Sequence, residues 1–187
     1  MASSDNNYVT HGLRGQVGDL FVFKTVKGKT IVAAPPRKTT HEPTEKQLKQ
    51  QKLFQEAAIY GKTVTVTPEL RAIYETSLPE GSSVYQVALA DFLNAPEIEE
   101  IDVTNYTGNP GNTIRIRATD DFMVKNVEVS ILNQDGTLVE KGAAIKQANG
   151  LDWLFTATVK NDTLTGDKIV VRASDLPGNI ASSDINL

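Results

Sequence analysis

Past Pro96 the chain alternates apolar and polar positions with little interruption. Ile114, Ile116 and Ala118, then Val127, Val129 and Ile131, then Trp153, Phe155 and Ala157, then Ile169, Val171 and Ala173 each place an apolar residue at every second position. That is the period of a strand with one buried face. Following it outward predicts strands at 98–103, 113–119, 124–132, 137–140, 151–159, 168–173 and 180–185. Gly108-Asn109-Pro110-Gly111, Asn133-Gln134-Asp135-Gly136 and Leu176-Pro177-Gly178-Asn179 supply turns between them, each rich in residues that reverse the backbone cheaply. Short strands so closely spaced predict an all-β two-sheet sandwich over 97–187, with the four apolar sets as the core between its sheets.

The first half has a different rhythm. Residues 1–18 are polar, with Gly12, Gly15 and Gly18 three apart, and predict a flexible basic/polar arm with no face to bury. Leu20-Phe21-Val22-Phe23 and Thr30-Ile31-Val32 flank Lys27-Gly28, the pattern of a β-hairpin. Pro35, Pro36 and Pro43 keep the next stretch extended. Thr44 three residues before Gln47 has the spacing of a capping box, and Gly61 stands where a helix would end. Thr67-Pro68-Glu69 opens a second helix bearing Leu70, Ile73 and Tyr74. Ser82 or Ser83 opens a third, running to Leu93, with Val84, Val87, Ala88 and Asp91 on one side. Asn94-Ala95-Pro96 breaks it. The expected organisation is an arm over 1–18, a hairpin plus about three helices forming a docking region over 19–96, and the sandwich over 97–187. The fold class is thus an α+β N-terminal region followed by an all-β domain.

Composition adds limits. The 187 residues are 40% hydrophobic, enough for a core of ordinary size. The absence of cysteine excludes disulfides, thiolate metal sites and thiol nucleophiles. No apolar run approaches a membrane span, and the polar residues 1–10 predict cytoplasmic synthesis without a signal peptide. The net charge of −4 conceals a split, because residues 1–63 carry +5 and the remainder −9. A basic segment of this kind is suited to an acidic surface, whether the protein's own, a neighbouring subunit's or a nucleic acid's.

Ala118-Thr119-Asp120-Asp121, the alternating Val127-Glu128-Val129-Ser130-Ile131, the Trp153 strand, and Val171-Arg172-Ala173-Ser174-Asp175 leading to Pro177-Gly178-Asn179 together resemble the bacterial immunoglobulin-like family. The resemblance covers the second half and implies an immunoglobulin-like sandwich serving as an adhesion, spacer or particle-surface module. Without the cysteine pair of antibody domains, Trp153 is expected to pack on aliphatic residues. The first half is similar to proteins of Bacteroidota-type bacteria that join a lysine-glycine hairpin, a Pro-Thr-Glu helix start and a terminal sandwich. The combination also resembles accessory or cargo proteins of phages and phage-tail-like contractile injection particles. That resemblance implies a protein carried in or on a released particle.

The candidate chemistry is sparse. A nucleophilic triad needs a base on a rigid scaffold, and both histidines, His11 and His41, fall in polar segments. Adjacent carboxylates such as Glu99-Glu100 and Asp120-Asp121 point to opposite faces when they lie on a strand. The expectation is a protein with no catalytic residue and no cofactor, binding a protein partner or particle subunit and no membrane. The expected contact residues are Leu20, Phe21, Phe23, Lys24, Lys27 and Lys29. Asp102, Asp120, Asp121 and Asp175 are calcium candidates by residue type. No calcium-binding loop motif joins them, and aspartates routinely start turns, so the expectation is that stability does not depend on calcium. The alternative function is DNA association, with Phe21 and Phe23 beside lysines and Lys46, Lys49 and Lys52 adding charge. A toxin-like cargo enzyme is a further alternative.

Overall fold

The computed structural model of the chain describes residues 2–3, 10, 12–26, 28–36 and 42–187. They form two compact units, Met1–Glu45 and Lys46–Leu187. Among the described residues the secondary structure is three helices and three antiparallel four-stranded sheets.

The first unit holds one sheet, in the order β1 (Ala2–Ser3), β4 (Lys29–Ala33), β3 (Phe21–Val26) and β2 (Gly15–Val17). Its centre is the expected hairpin. Val26 pairs with Lys29, and Gly28 turns the chain between them at φ 78°, where a side chain would be strained. The flanking strands differ from the expected arm over 1–18. Gly15, Gln16 and Val17 pair with Phe23, Val22 and Phe21, and Ala2 and Ser3 pair with Val32 and Ile31. The physical reason is the hairpin itself, since two strands alone leave both edges unpaired and are marginal in water. Adjacent chain satisfies those edges, although Gly15, Gln16 and Val17 are all exposed.

In the second unit, α1 (Glu45–Val66) runs beyond Gly61, where the sequence suggests an end. Ala57, Gly61 and Val64 form its single buried stripe, and a Cβ at Gly61 would lie 3.0 Å from the Tyr85 ring. The glycine is there to admit that ring. α2 (Pro68–Glu75) starts at the expected proline. α3 (Val84–Leu93) has Ser83 as N-cap, whose hydroxyl accepts from the Gln86 amide while Gln86 Oε1 accepts from Ser83 N–H at 3.0 Å, the reciprocal arrangement of a capping box.

The remaining two sheets are β5 (Glu97–Asp102), β6 (Thr113–Thr119), β10 (Asp152–Thr156) and β9 (Ile145–Lys146), and β12 (Ile180–Asn186), β11 (Lys168–Asp175), β7 (Val124–Leu132) and β8 (Leu138–Ala143). Ile169 pairs with Ile131 and Val171 with Val129 in one, and Trp153 with Ile116 and Phe155 with Ile114 in the other. Such registers stack the apolar sets of neighbouring strands on a common face. All twelve residues of the four alternating sets are buried in one cluster shared by both sheets. Each fully buried aliphatic side chain contributes about 1.5–3 kcal/mol. Trp153 joins that cluster, opposite Ile116 across the strand pair and with Lys146 Nζ 5.8 Å from its ring centroid.

A second cluster, Val64, Tyr74, Val84 and Ala88, joins the helices, and Phe122 and Leu176 from inter-strand loops pack against it. Tyr74 stacks on Phe122 at 4.4 Å between centroids. Asn179 Nδ2 lies 3.2–3.3 Å from the carbonyls of Asp91, Phe92 and Asn94. It thereby caps the otherwise unpaired C-terminal carbonyls of α3. Helices and sheets thus form one unit starting at Lys46, whereas the sequence places its boundary after Pro96. The break in hydrophobic period there marks a change of secondary structure within that unit.

Candidate functional site

The hairpin residues expected to meet a partner divide between two faces. Phe21 and Phe23 share one face, their rings edge-on at 5.3 Å. Lys24 lies on the other by alternation, and Lys29, paired with Val26, joins it there. The strand period thus separates the aromatic residues from the lysines. Phe23, opposite both Gly15 and Val32, is 9% exposed and is a packing residue of its own sheet. Leu20, in the β2–β3 turn, is 76% exposed. Leu13, Val17 and Val26 are also exposed, although the sequence reading did not single them out. Lys27, His11 and His41 lie outside the described residues.

The densest chemistry lies where α3 meets the sheets. Asp91 from α3, Asp120 from the β6–β7 loop and Asp175 at the end of β11 bring carboxylate oxygens within 4.8 Å of one another. Asp91 is fully buried. Its Oδ2 accepts a short hydrogen bond from the Tyr74 hydroxyl, which is 2.9 Å from that of Tyr60. Asp120 Oδ2 accepts from the amides of Phe122 and Met123. Asp175 Oδ1 accepts from the amides of Gly178 and Asn179, and its Oδ2 from the Asn179 side chain. Burial, with the nearby Asp120 and Asp175 charges, pushes the Asp91 carboxyl up to about 7 against the opposing Tyr74 hydrogen bond. Burial first, and the bond to Asp91 next, raise the Tyr74 hydroxyl as well. Among the described residues no lysine or arginine pairs with any of the three carboxylates. A cluster of this kind can retain a proton at neutral pH or hold a hard cation.

The other two calcium candidates are elsewhere. Asp102 accepts from the Thr104 amide and hydroxyl and pairs with Arg115 at 3.2 Å. Those hydrogen bonds, Thr104 foremost, hold its carboxyl below the usual range. Asp121 accepts from the Asn94 side chain. The candidate carboxylate pairs do not converge either, since Glu99 accepts from Thr119 and Glu100 pairs with Arg115.

No family model and no curated protein matches the chain. A crystal structure described as that of an engineered protein is similar over 48% of this chain and 18% of its own, at 20% identity and a TM-score of 0.32. The chain therefore spans under a fifth of that protein's length.

Sequence reasoning found Asp120 and Asp175 but missed Asp91. The signal was present, because Asp91 falls on the same helical side as Val84, Val87 and Ala88. A carboxylate on a face otherwise committed to packing must be buried with a partner or a purpose.

Proposed function

We propose that the protein is a non-enzymatic interaction protein: its N-terminal sheet docks a partner by strand addition, and its body is an immunoglobulin-like sandwich fronted by helices. The observation that carries the docking role is the outer strand β2. All three of its residues are exposed, and among the described residues no strand pairs with its outer side. Exposed Leu13, Val17 and Leu20 lie on or beside it. An open edge with apolar neighbours is the arrangement that accepts an extended segment, the edge supplying backbone hydrogen bonds and the side chains supplying contacts. A particle subunit, the partner class implied by the sequence resemblance, would be engaged in this way.

Strand order supports the immunoglobulin-like reading. Counted from β5, the two sheets run first-second-sixth-fifth and eighth-seventh-third-fourth. An immunoglobulin fold with one added strand places A-B-E-D against G-F-C-C′ in the same order.

The test compares two double variants of the full chain as bait in the native cell. Val17→Asp with Leu20→Asp should reduce partner capture about tenfold or more, as expected for apolar anchors near the centre of an interface. Lys24→Ala with Lys29→Ala should change it by less than about threefold, because exposed charges are worth about 0–1 kcal/mol. The reverse order, together with salt-sensitive DNA retention that the lysine variant abolishes, contradicts docking and favours nucleic-acid binding.

A further inference from the structure

We propose that Asp91, Asp120 and Asp175 bind a calcium ion where α3 meets the two sheets. Three elements distant in sequence deliver these carboxylates to one point, with ligand oxygens no more than 4.8 Å apart. Oxygens sitting about 2.3–2.6 Å from a calcium ion lie at most about 5 Å from each other, so the cluster has the span of one calcium shell.

The independent observation is at the unused oxygens. Asp91 Oδ1 and Asp120 Oδ1 are both buried and receive no hydrogen bond from a donor among the described residues, although the second oxygen of each carboxylate is fixed by donors. Buried carboxylate oxygens are costly to leave unpartnered, and here two of them belong to groups already gathered in one cluster. The donors around the cluster, the Tyr74 hydroxyl and the amides of Phe122, Met123, Gly178 and Asn179, are neutral. They orient the carboxylates without neutralising them, the usual task of groups just outside a metal's own ligands.

The donor set selects the ion. Only oxygens are offered, which suits a hard cation. Magnesium demands a tighter octahedron at about 2.0–2.1 Å and retains several waters, whereas calcium accepts irregular and bidentate carboxylates. Two clefts border the cluster. A cleft of about 260 Å³ reaches Asp91 beside Asp121 and Phe122, and another of about 170 Å³ reaches Asp120 beside Met123.

The experiment uses the full chain, stripped with a chelator and titrated calorimetrically with calcium chloride near neutral pH, with thermal midpoints recorded alongside. One equivalent should bind, the midpoint should rise by several degrees, and magnesium should do much less. Asp120→Asn and Asp175→Asn should each weaken calcium binding about tenfold or more, while Asp102→Asn should leave it unchanged. If the cluster variants do not fold, terbium added to the unsubstituted chain decides: tyrosine-sensitised emission displaced by calcium supports the site, and its absence overturns it. Absence of heat and of any midpoint shift up to about 10 mM calcium, well above the range of weak extracellular modules, shows that the cluster holds only a shared proton. A calcium response that survives both cluster substitutions overturns the assignment equally.

Discussion

The N-terminal sheet and the sheets of the second unit are built from the same alternating pattern with opposite results. In the first unit, Phe23 and Thr30 are the buried residues among those described, because one small sheet is a single layer. In the second unit, two sheets face each other and close over all twelve alternating apolar positions. Alternation thus specifies which face of a strand is apolar, and a second layer decides whether that face is buried. The sheet lacking that layer is left with an open edge and exposed apolar residues, which are what a partner can use.

The comparison is most severely tested by cutting the second unit. A fragment of residues 46–187 retains the helices and both sheets and should melt cooperatively with a dispersed amide spectrum. A fragment of 97–187 re-exposes Phe122 and Leu176 and strips Asn179 of the α3 carbonyls. It should be less stable by about 4 kcal/mol or more in urea, given about 1.5–3 kcal/mol per large apolar side chain uncovered. Equal stability of the two would show that the helices are passengers. Next in size, Ile169→Ala within the fully closed core should cost about 3 kcal/mol by denaturant titration. A loss under about 1 kcal/mol would mean that this core is not packed as described.

A smaller effect is expected from Asn179→Ala, which leaves carbonyls of Asp91, Phe92 and Asn94 without their shared donor. The same fit should give a loss of about 1–2 kcal/mol. The smallest effect concerns acid. Arg117 foremost holds the Asp152 carboxyl below its ordinary range, and Thr104 does so for Asp102. A carboxyl depressed in the folded state stabilises the fold above its unfolded pKa, and that stability is lost as pH falls through the folded value. The thermal midpoint should therefore decline below about pH 4 through these groups, with Asp152→Asn making that decline shallower, whereas between neutral pH and about 4 the raised Asp91 carboxyl takes up its proton and the midpoint rises.

Much of the second unit was legible because local pattern and tertiary environment agree there. Thr113–Thr119 and Val124–Leu132 carry their full extents in sequence, each being a strand with one face sealed. Ile145–Lys146 is two residues long, too short for any period to register. Gly61 was misleading because a glycine that ends a helix and one that admits a neighbouring ring look alike in sequence. The strands at Ala2–Ser3 and Gly15–Val17 are held by the hairpin edges they cover, a cause located in other residues. At the acidic cluster, Asp120 and Asp175 were two of four candidate aspartates, and the pattern did not separate them from Asp102 and Asp121, which lie elsewhere. Their third partner required knowing where a helix packs.

Native-state amide hydrogen exchange on the full chain tests the contrast between the two regions most directly. Amides of β7 and β11, central in a closed core, should exchange only through global unfolding, while those of β2, with an unpaired outer side, should exchange orders of magnitude faster. Protection in β2 equal to that in β7 and β11 would contradict the account, since an edge that never opens to solvent is not available to a partner.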